Sequence, residues 1–470
     1  LTILKKKPLP LIEKIRIESV GAEGKAVARH ENRVIFVPMV IPGDVVDVQV
    51  VKKRRTYSEG RMVRIVSPSP DRQKPVCSHF GVCGGCKWQM LPYSLQLKYK
   101  SQQVGDQLTR IGQLKLPEIR PIIGAVQPEF YRNKMEYTFS NRRWLTNEEV
   151  RSGVDPEEDP ALGFHVRGLF DKVVNVDKCW LQSDPANEIR NEVRRFTLEH
   201  GFSYFDLRKQ TGLMRNLTIR CTSIGEWMVI VSFHENSPDQ IRMLMDHLKE
   251  QFPFLTSLMY VINPKRNDTI ADLDVITWCG RDYIIEEMEG LQFKISPKSF
   301  FQTNSHQVMR LYQVVRDFAE LKGDDVVYDL YTGTGTIALF LARQVSKVIG
   351  IEYVPEAIED ARINAEMNEI SNAEFLIGDM KDVLGSSLFE QYGQPDLIVL
   401  DPPRAGVHPD VITAIRDTDA PRIVYVSCNP ATQARDLALL SDRYAIQAVQ
   451  PVDMFPHTHH VENVVLLKKY

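Results

Sequence analysis

The chain has no apolar run long enough to span a bilayer and no internal repeat. Its opening stretch, LTILKKKPLP, lacks the apolar core of a secretory signal. Cysteine is scarce: seven in 470 residues, an odd number unevenly spread, which does not suit a secreted disulfide framework. The expectation is a cytoplasmic protein with no membrane partner. Nor is there an overall excess of basic charge, since the net charge is −3. The balance is uneven, however. Residues 1–75 hold 16 Lys and Arg against 8 Asp and Glu, a local +8 that leaves −11 for the rest. A basic module on an acidic body predicts a localised anionic partner.

With 43% hydrophobic and 25% charged residues, the composition is that of a globular protein. Its length admits roughly two to four domains. Residues 11–66 carry five β-type runs, with turns at 21–24, 30–32 and 42–43. Short strands and glycine-containing turns predict a small closed barrel of the OB type. Lys52, Lys53, Arg54 and Arg55 follow the fourth run, close to Tyr57. With an exposed ring, this group suits single-stranded RNA, phosphates on the charges and a base on the aromatic. A solvated hairpin is the plainer alternative. SPSPDRQKP (67–75) reads as a linker, and 92–118 as an amphipathic helix ending near Gly112. Mixed patterns from 120 to 290 predict an α+β domain, with an acidic loop at 146–160. From about 291 strand and helix alternate regularly, as in a doubly wound α/β sheet. The expected units are 1–70, 71–290 and 291–470.

Cys77, Cys83 and Cys86 form a Cx5Cx2C pattern. Three thiols so close predict a soft-metal site completed by a distant ligand. Zinc and an iron–sulfur cluster both satisfy the chemistry. The Cx3Cx2C spacing of radical-SAM clusters is absent.

Two uninterrupted apolar runs, 397–400 and 423–426, read as buried parallel strands. The first ends at Asp401, before Pro402-Pro403-Arg404, and the second at Ser427-Cys428-Asn429-Pro430. Ligands of open α/β sheets sit beyond the carboxyl ends of strands, so Asp401 and Cys428 are expected to face one crevice. Upstream, Asp329-Leu-Tyr331-Thr-Gly333-Thr-Gly335 forms a strand-to-helix turn, and Glu352 ends the next strand 17 residues after Gly335. An acid there can accept from both hydroxyls of a ribose. The third glycine of a GxGxxG dinucleotide fingerprint is missing, which favours S-adenosylmethionine (SAM) over NAD.

DPPRAGV (401–407), SCNP (427–430) and DMFPHTHHVE (453–462) resemble the SAM-dependent uracil-5 RNA methyltransferases. The resemblance extends to SFFQTN (299–304) and to the cysteine spacing. It implies a multidomain chain: a TRAM barrel, a central α+β iron–sulfur domain and a Rossmann-like SAM domain. It makes Cys179 the fourth ligand, beside Cys77, Cys83 and Cys86, of a [4Fe–4S] cluster. Tyr331 and Asp379 join Glu352 around SAM, Gln302 serves the SAM side or the target base, and Asp401 serves either SAM or uracil. Cys428 is implied as nucleophile and Glu462 as base. The three histidines of the last motif then need no metal. The implied substrate is 23S rRNA, with tRNA as the alternative, modified by a monomer. Two rivals are weaker. Amino-group methyltransferases carry an aromatic where Arg404 stands, and a non-catalytic iron–sulfur RNA-binding protein has no need of Cys428 and Glu462.

Overall fold

A computed structural model describes residues 9–155 and 159–470. The basic lead at 5–7 and part of the acidic 146–160 segment lie outside them. Residues 11–67 form one six-stranded sheet in the order Leu11–Arg16, Val45–Lys53, Tyr57–Ser67, Arg33–Val37, Ala26–His30, Ser19–Val20. Ile12, Ile35, Val37, Val46 and Val48 fill its core. There are six strands, not five, because the first run breaks at Ile17. Its amide donates to Asp44 and its carbonyl accepts from Gly43, both at 2.9 Å, outside the strand pairing.

Two expectations change here. Tyr57 is half-buried, its ring edge-on to Phe36 at 5.4 Å, so it is not a free stacking platform. The expected linker is also held. Asp44 is fully buried and accepts from the amides of Ile41 and Ser69 and, at 2.6 Å, from Arg72. Burying a carboxylate is costly unless it is paired, and Arg72 supplies the partner.

The middle of the chain builds a seven-stranded sheet ordered Val275–Gly280, Ser257–Ile262, Trp227–Phe233, Met214–Cys221, Lys134–Ser140, Ala161–His165, Val173–Asn175. Helices Ala186–Glu199 and Pro238–Gln251 bury Ile189, Val193, Leu244 and Leu248 in the same core as its strands. The acidic segment contains a helix, Asn147–Ser152, where a loop was expected. Thr146 and Glu149 make a reciprocal capping box that starts it.

The last third forms a second seven-stranded sheet: Ala373–Ile377, Lys347–Glu352, Val326–Leu330, Leu397–Leu400, Arg422–Ser427, Glu462–Lys469, Tyr444–Val452. The first five strands are parallel, Glu462–Lys469 runs against them, and Tyr444–Val452 at the edge runs with them again. Strand order reverses at Val326–Leu330, the place where doubly wound sheets open a ligand crevice. Helix Tyr93–Arg110 lies earlier in sequence yet packs here, against helix Pro430–Leu440. Its Val104 and Leu108 share a core with Leu400, Ala434 and Leu437.

Candidate active site

The candidate crevice is built from three strand ends. Asp401 follows Leu397–Leu400 and Cys428 follows Arg422–Ser427. Glu462 opens the antiparallel neighbour, where Asn463 pairs with Ser427. Cys428 and Glu462 therefore sit at one end of adjacent strands. Burial pushes Glu462 up to about 8, helped by the Asp401 charge and opposed by Arg404. Burial likewise lifts Asp401 to about 7. The Cys428 thiol rises to about 11, first through burial, then through the charges of Glu462 and Asp401. The nearby Arg404 guanidinium acts against that rise. Cys428 also precedes Asn429, the N-cap of helix Pro430–Leu440, whose positive end favours a thiolate.

The DPPR turn is fixed to the SCNP turn. The Arg404 carbonyl accepts from Asn429 Nδ2 at 3.0 Å and Thr432 Oγ1 at 3.3 Å. The Arg404 guanidinium lies 2.5 Å from His460 Nδ1. The loop leading to Glu462 is held from two sides. Lys100 and Asp453 form an ion pair of 2.6 Å with neither side chain exposed. Tyr93 Oη also donates to Asp453, at 2.9 Å. The amides of Lys87 and Trp88 both donate to the His457 carbonyl, at 2.8 and 3.0 Å. The three histidines turn to different partners: His457 to Gln96 and Glu129, His459 to Lys87, His460 to Arg404. Burial and neighbouring cations drive His459 down to about 2 and His460 to about 4.

At the neighbouring strand ends, Gly333 and Gly335 have φ of 56° and 79°. A Cβ on Gly335 would come 2.9 Å from the Phe375 ring. Only glycine suits that approach. Tyr331, half-buried with φ 66°, enters the same turn. The Glu352 carboxylate accepts from the Gly333 amide at 3.2 Å and from Tyr353 and Val354 at 2.8 and 3.0 Å, and it stays partly open. Asp379 caps the short helix Met380–Val383 and pairs with Lys381 at 3.3 Å. Asp329 was not singled out from the sequence. It is buried, its Oδ2 accepts from Thr332 and Ala338, and among the described residues its Oδ1 has no partner. Burial, then the charges of Asp401 and Glu352, lift it to about 7. A buried orphan oxygen beside a glycine turn fits a ligand carrying hydrogen-bond donors, as SAM does. The signal for Asp329 was its place at the end of the strand opening that turn.

Gln302 is half-buried just before helix Ser305–Ala319. Its carbonyl accepts from Asn133 Nδ2 at 3.0 Å, and Asn304, not Gln302, caps the helix. The FFQTN segment is thus pinned by the central domain.

Cys77, Cys83, Cys86 and Cys179 line one cavity of about 500 Å³, which reaches Phe300 and Thr303. Burial raises Cys83 to about 11 and Cys86 to about 12, and neighbouring thiols of the set add to each. Buried thiols of this kind ionise readily only beside a cation. Among the described residues no group of three or more His, Cys, Asp or Glu is gathered for a single metal ion. Cys221 and Cys279 line no part of this cavity.

The TRAM domain profile matches residues 12–63, and that of the tRNA (Uracil-5-)-methyltransferase family matches 217–470. A Bacteroides thetaiotaomicron protein named "Uncharacterized RNA methyltransferase" is 58% identical, covering 96% of this chain and 100% of its own. A Porphyromonas gingivalis protein of the same name is 55% identical, covering 96% and 99%. Among solved structures, the Pyrococcus abyssi tRNA (uracil-54, C5)-methyltransferase in complex with S-adenosyl-L-homocysteine is 28% identical. It covers 96% of this chain and 99% of its own, with a TM-score of 0.75. This chain belongs to the tRNA (uracil-5-)-methyltransferase family and is a SAM-dependent RNA methyltransferase with an N-terminal TRAM domain.

Proposed function

We propose that the chain forms 5-methyluridine in RNA through a covalent adduct between Cys428 and C6 of the target base. The observation carrying this reading is the meeting of Cys428, Glu462, Asp401 and Arg404 beside the glycine turn. Uracil C5 is a weak nucleophile. The Cys428 thiolate adds to C6, and the electron pair of the C5–C6 double bond moves toward C4 as an enolate. SAM, when bound, would supply an electrophilic methyl group to C5, the methyl–sulfur bond breaking to leave S-adenosylhomocysteine. The ionised Glu462 then removes the C5 proton, the double bond re-forms and the thiolate leaves. Arg404 favours the thiolate before addition and after elimination. Asp401, protonated in part near neutral pH, can donate to a uracil carbonyl or to the SAM carboxylate. Glu352, Asp379, Tyr331 and Gln302 hold the cofactor or base. The uridine reaches this depth only when flipped out of its stack.

The reading places a [4Fe–4S] cluster on Cys77, Cys83, Cys86 and Cys179. The four thiols share a cavity, and a lone zinc ion would require every sulfur within about 2.3 Å of it. Iron, acid-labile sulfide and zinc counted on purified protein test this. The units are taken as 1–70, 71–290 and 291–470, acting as a monomer.

For the substrate, 23S rRNA is the proposal, on the joint presence of TRAM domain and cysteine set. A tRNA substrate is the second reading, favoured by the similarity to the Pyrococcus abyssi tRNA enzyme over 96% of this chain. Mass-spectrometric counting of 5-methyluridine in separated 23S rRNA and tRNA, with and without the gene, decides. Loss from 23S rRNA alone supports the proposal, and loss from tRNA alone replaces it. No change in either RNA contradicts both.

A further inference from the structure

A second cavity, of about 640 Å³, lies between the barrel turn at 21–25 and the turn at 165–168. Lys25, Lys87 and Arg167 line it, and Glu23 is the acid among its lining residues. Glu23 is already paired with Lys25 at 2.9 Å. Arg167 is exposed and, among the described residues, meets no carboxylate within ion-pair distance. The walls are held in place. Trp88 Nε1 donates to the Gly24 carbonyl at 3.1 Å, and a Cβ on Gly24 would come 2.7 Å from that of His459.

From this cavity a line of nitrogen groups runs to the reaction crevice. Lys87 Nζ lies 3.2 Å from His459 Nδ1, the rings of His459 and His460 are 4.0 Å apart, and His460 Nδ1 is 2.5 Å from Arg404. Arg404 ends the line at the SCNP turn, where its carbonyl accepts from Asn429, the neighbour of Cys428. In the cavity three cations, Lys25, Lys87 and Arg167, stand against one acid, Glu23, and the line beyond it offers neutral imidazoles and Arg404, an arrangement that suits a polyanion whose charges recur along its length. The cluster at 52–55 does not share this position. It lies at the other end of the barrel, where Lys53 pairs with Ser58 and Tyr57 with Val34, whereas the Gly24 end leads into Ala26, opposite Val37.

Resting on the uridine-methylation reading, we propose that Lys25, Lys87 and Arg167 bind phosphates of the RNA strand that delivers the flipped uridine. The strand then passes along His459, His460 and Arg404 to the thiol. The barrel contributes Lys25 directly to the substrate path.

The test uses Lys25→Gln/Arg167→Gln in the full-length protein with its metal content retained. Affinity for a single-stranded RNA oligonucleotide containing uridine is measured by fluorescence anisotropy over a range of salt. Each lost phosphate contact removes about 0.7 from the slope of log K against log salt on single strands. The expected result is a slope shallower by about 1.4 for two lost contacts, with S-adenosylhomocysteine binding unchanged by calorimetry. An unchanged slope overturns the proposal, whether or not affinity falls, because lost phosphate contacts must reduce it. A covalent complex with 5-fluorouridine RNA is followed in parallel in the parent protein. Its absence there would count against the methylation reading and leave the phosphate slope as a separate result.

Discussion

Lys100 and Asp453 lie 353 positions apart in sequence and meet at 2.6 Å in the interior, both side chains fully buried. Lys100 also donates to the Phe455 carbonyl at 3.0 Å, so this pair sets the start of the loop that ends at Glu462. Lys100→Met leaves the Asp453 carboxylate buried without its cation. Breaking such a pair costs about 3–5 kcal/mol, read as a lower midpoint in urea unfolding. Lys100→Met/Asp453→Leu is expected to lose less than the single variant. A single variant as stable as the parent would contradict the structural role.

Cys428→Ala is expected to abolish the covalent complex with 5-fluorouridine RNA, seen on denaturing gels. Glu462→Gln is expected to keep the methylated RNA attached to the protein, since the C5 proton is not removed. Full turnover by Glu462→Gln would take the base role from Glu462.

The pH dependence of the reaction follows from the same groups. Glu462 and Cys428 both act deprotonated and are held at about 8 and about 11. The kcat/KM for RNA is therefore expected to climb with pH through the region of about 8, where the free enzyme's base ionises. A profile that is flat or falling through that region would show that neither group limits the reaction.

Stability moves the other way. Asp329, Asp401 and Glu462 are raised to about 7, 7 and 8, far above their unfolded values. Near neutral pH the folded chain then binds protons that the unfolded chain has lost. Their stabilising contribution is full below the unfolded carboxyl range and disappears as pH rises through 7 to 8. His459 and His460 are depressed, and they act oppositely, favouring the unfolded chain as it gains protons below about 6.5. The Tm of the ligand-free protein is expected to fall as pH rises from the unfolded carboxyl range toward about 8, and Asp401→Asn to make that fall shallower. A Tm that rises there would contradict the burial of these carboxyls.

Glu352→Gln removes a charge that faces the glycine turn. Hydrogen bonds to charged groups contribute about 1.5–3 kcal/mol, so S-adenosylhomocysteine is expected to bind roughly tenfold to a hundredfold more weakly by calorimetry. Unchanged affinity would place the ribose elsewhere.

The catalytic half was the more legible part of the sequence. Its strands are uninterrupted β-branched runs, and chain direction alone puts Asp401, Cys428 and Glu352 at carboxyl ends. What local pattern does not contain is the identity of the surface that an element meets. Helix Tyr93–Arg110 reads as amphipathic, but its periodicity is silent on whether its apolar side meets the central sheet or helix Pro430–Leu440. Lys100 looks like any helix lysine until Asp453 arrives beside it. Tyr57 passes for an exposed ring because Phe36, its neighbour in space, lies two turns earlier in the chain. Asp329 was hidden for another reason: a strand-terminal acid is ordinary, and only its burial and its unpartnered oxygen set it apart.

The docking of helix Tyr93–Arg110 on helix Pro430–Leu440 has a consequence for synthesis. The ribosome releases the first helix long before its partner exists, and some 320 residues separate the two. At about 5–20 residues per second, that delay is roughly a quarter of a minute to a minute. Through this interval Val104 and Leu108 lack the Ala434 and Leu437 surface they pack with, and Lys100 lacks the Asp453 carboxylate. The helix is therefore an early-made part held for a late-made seat. A nascent chain arrested before Asp453 would present it to chaperones as an open apolar face.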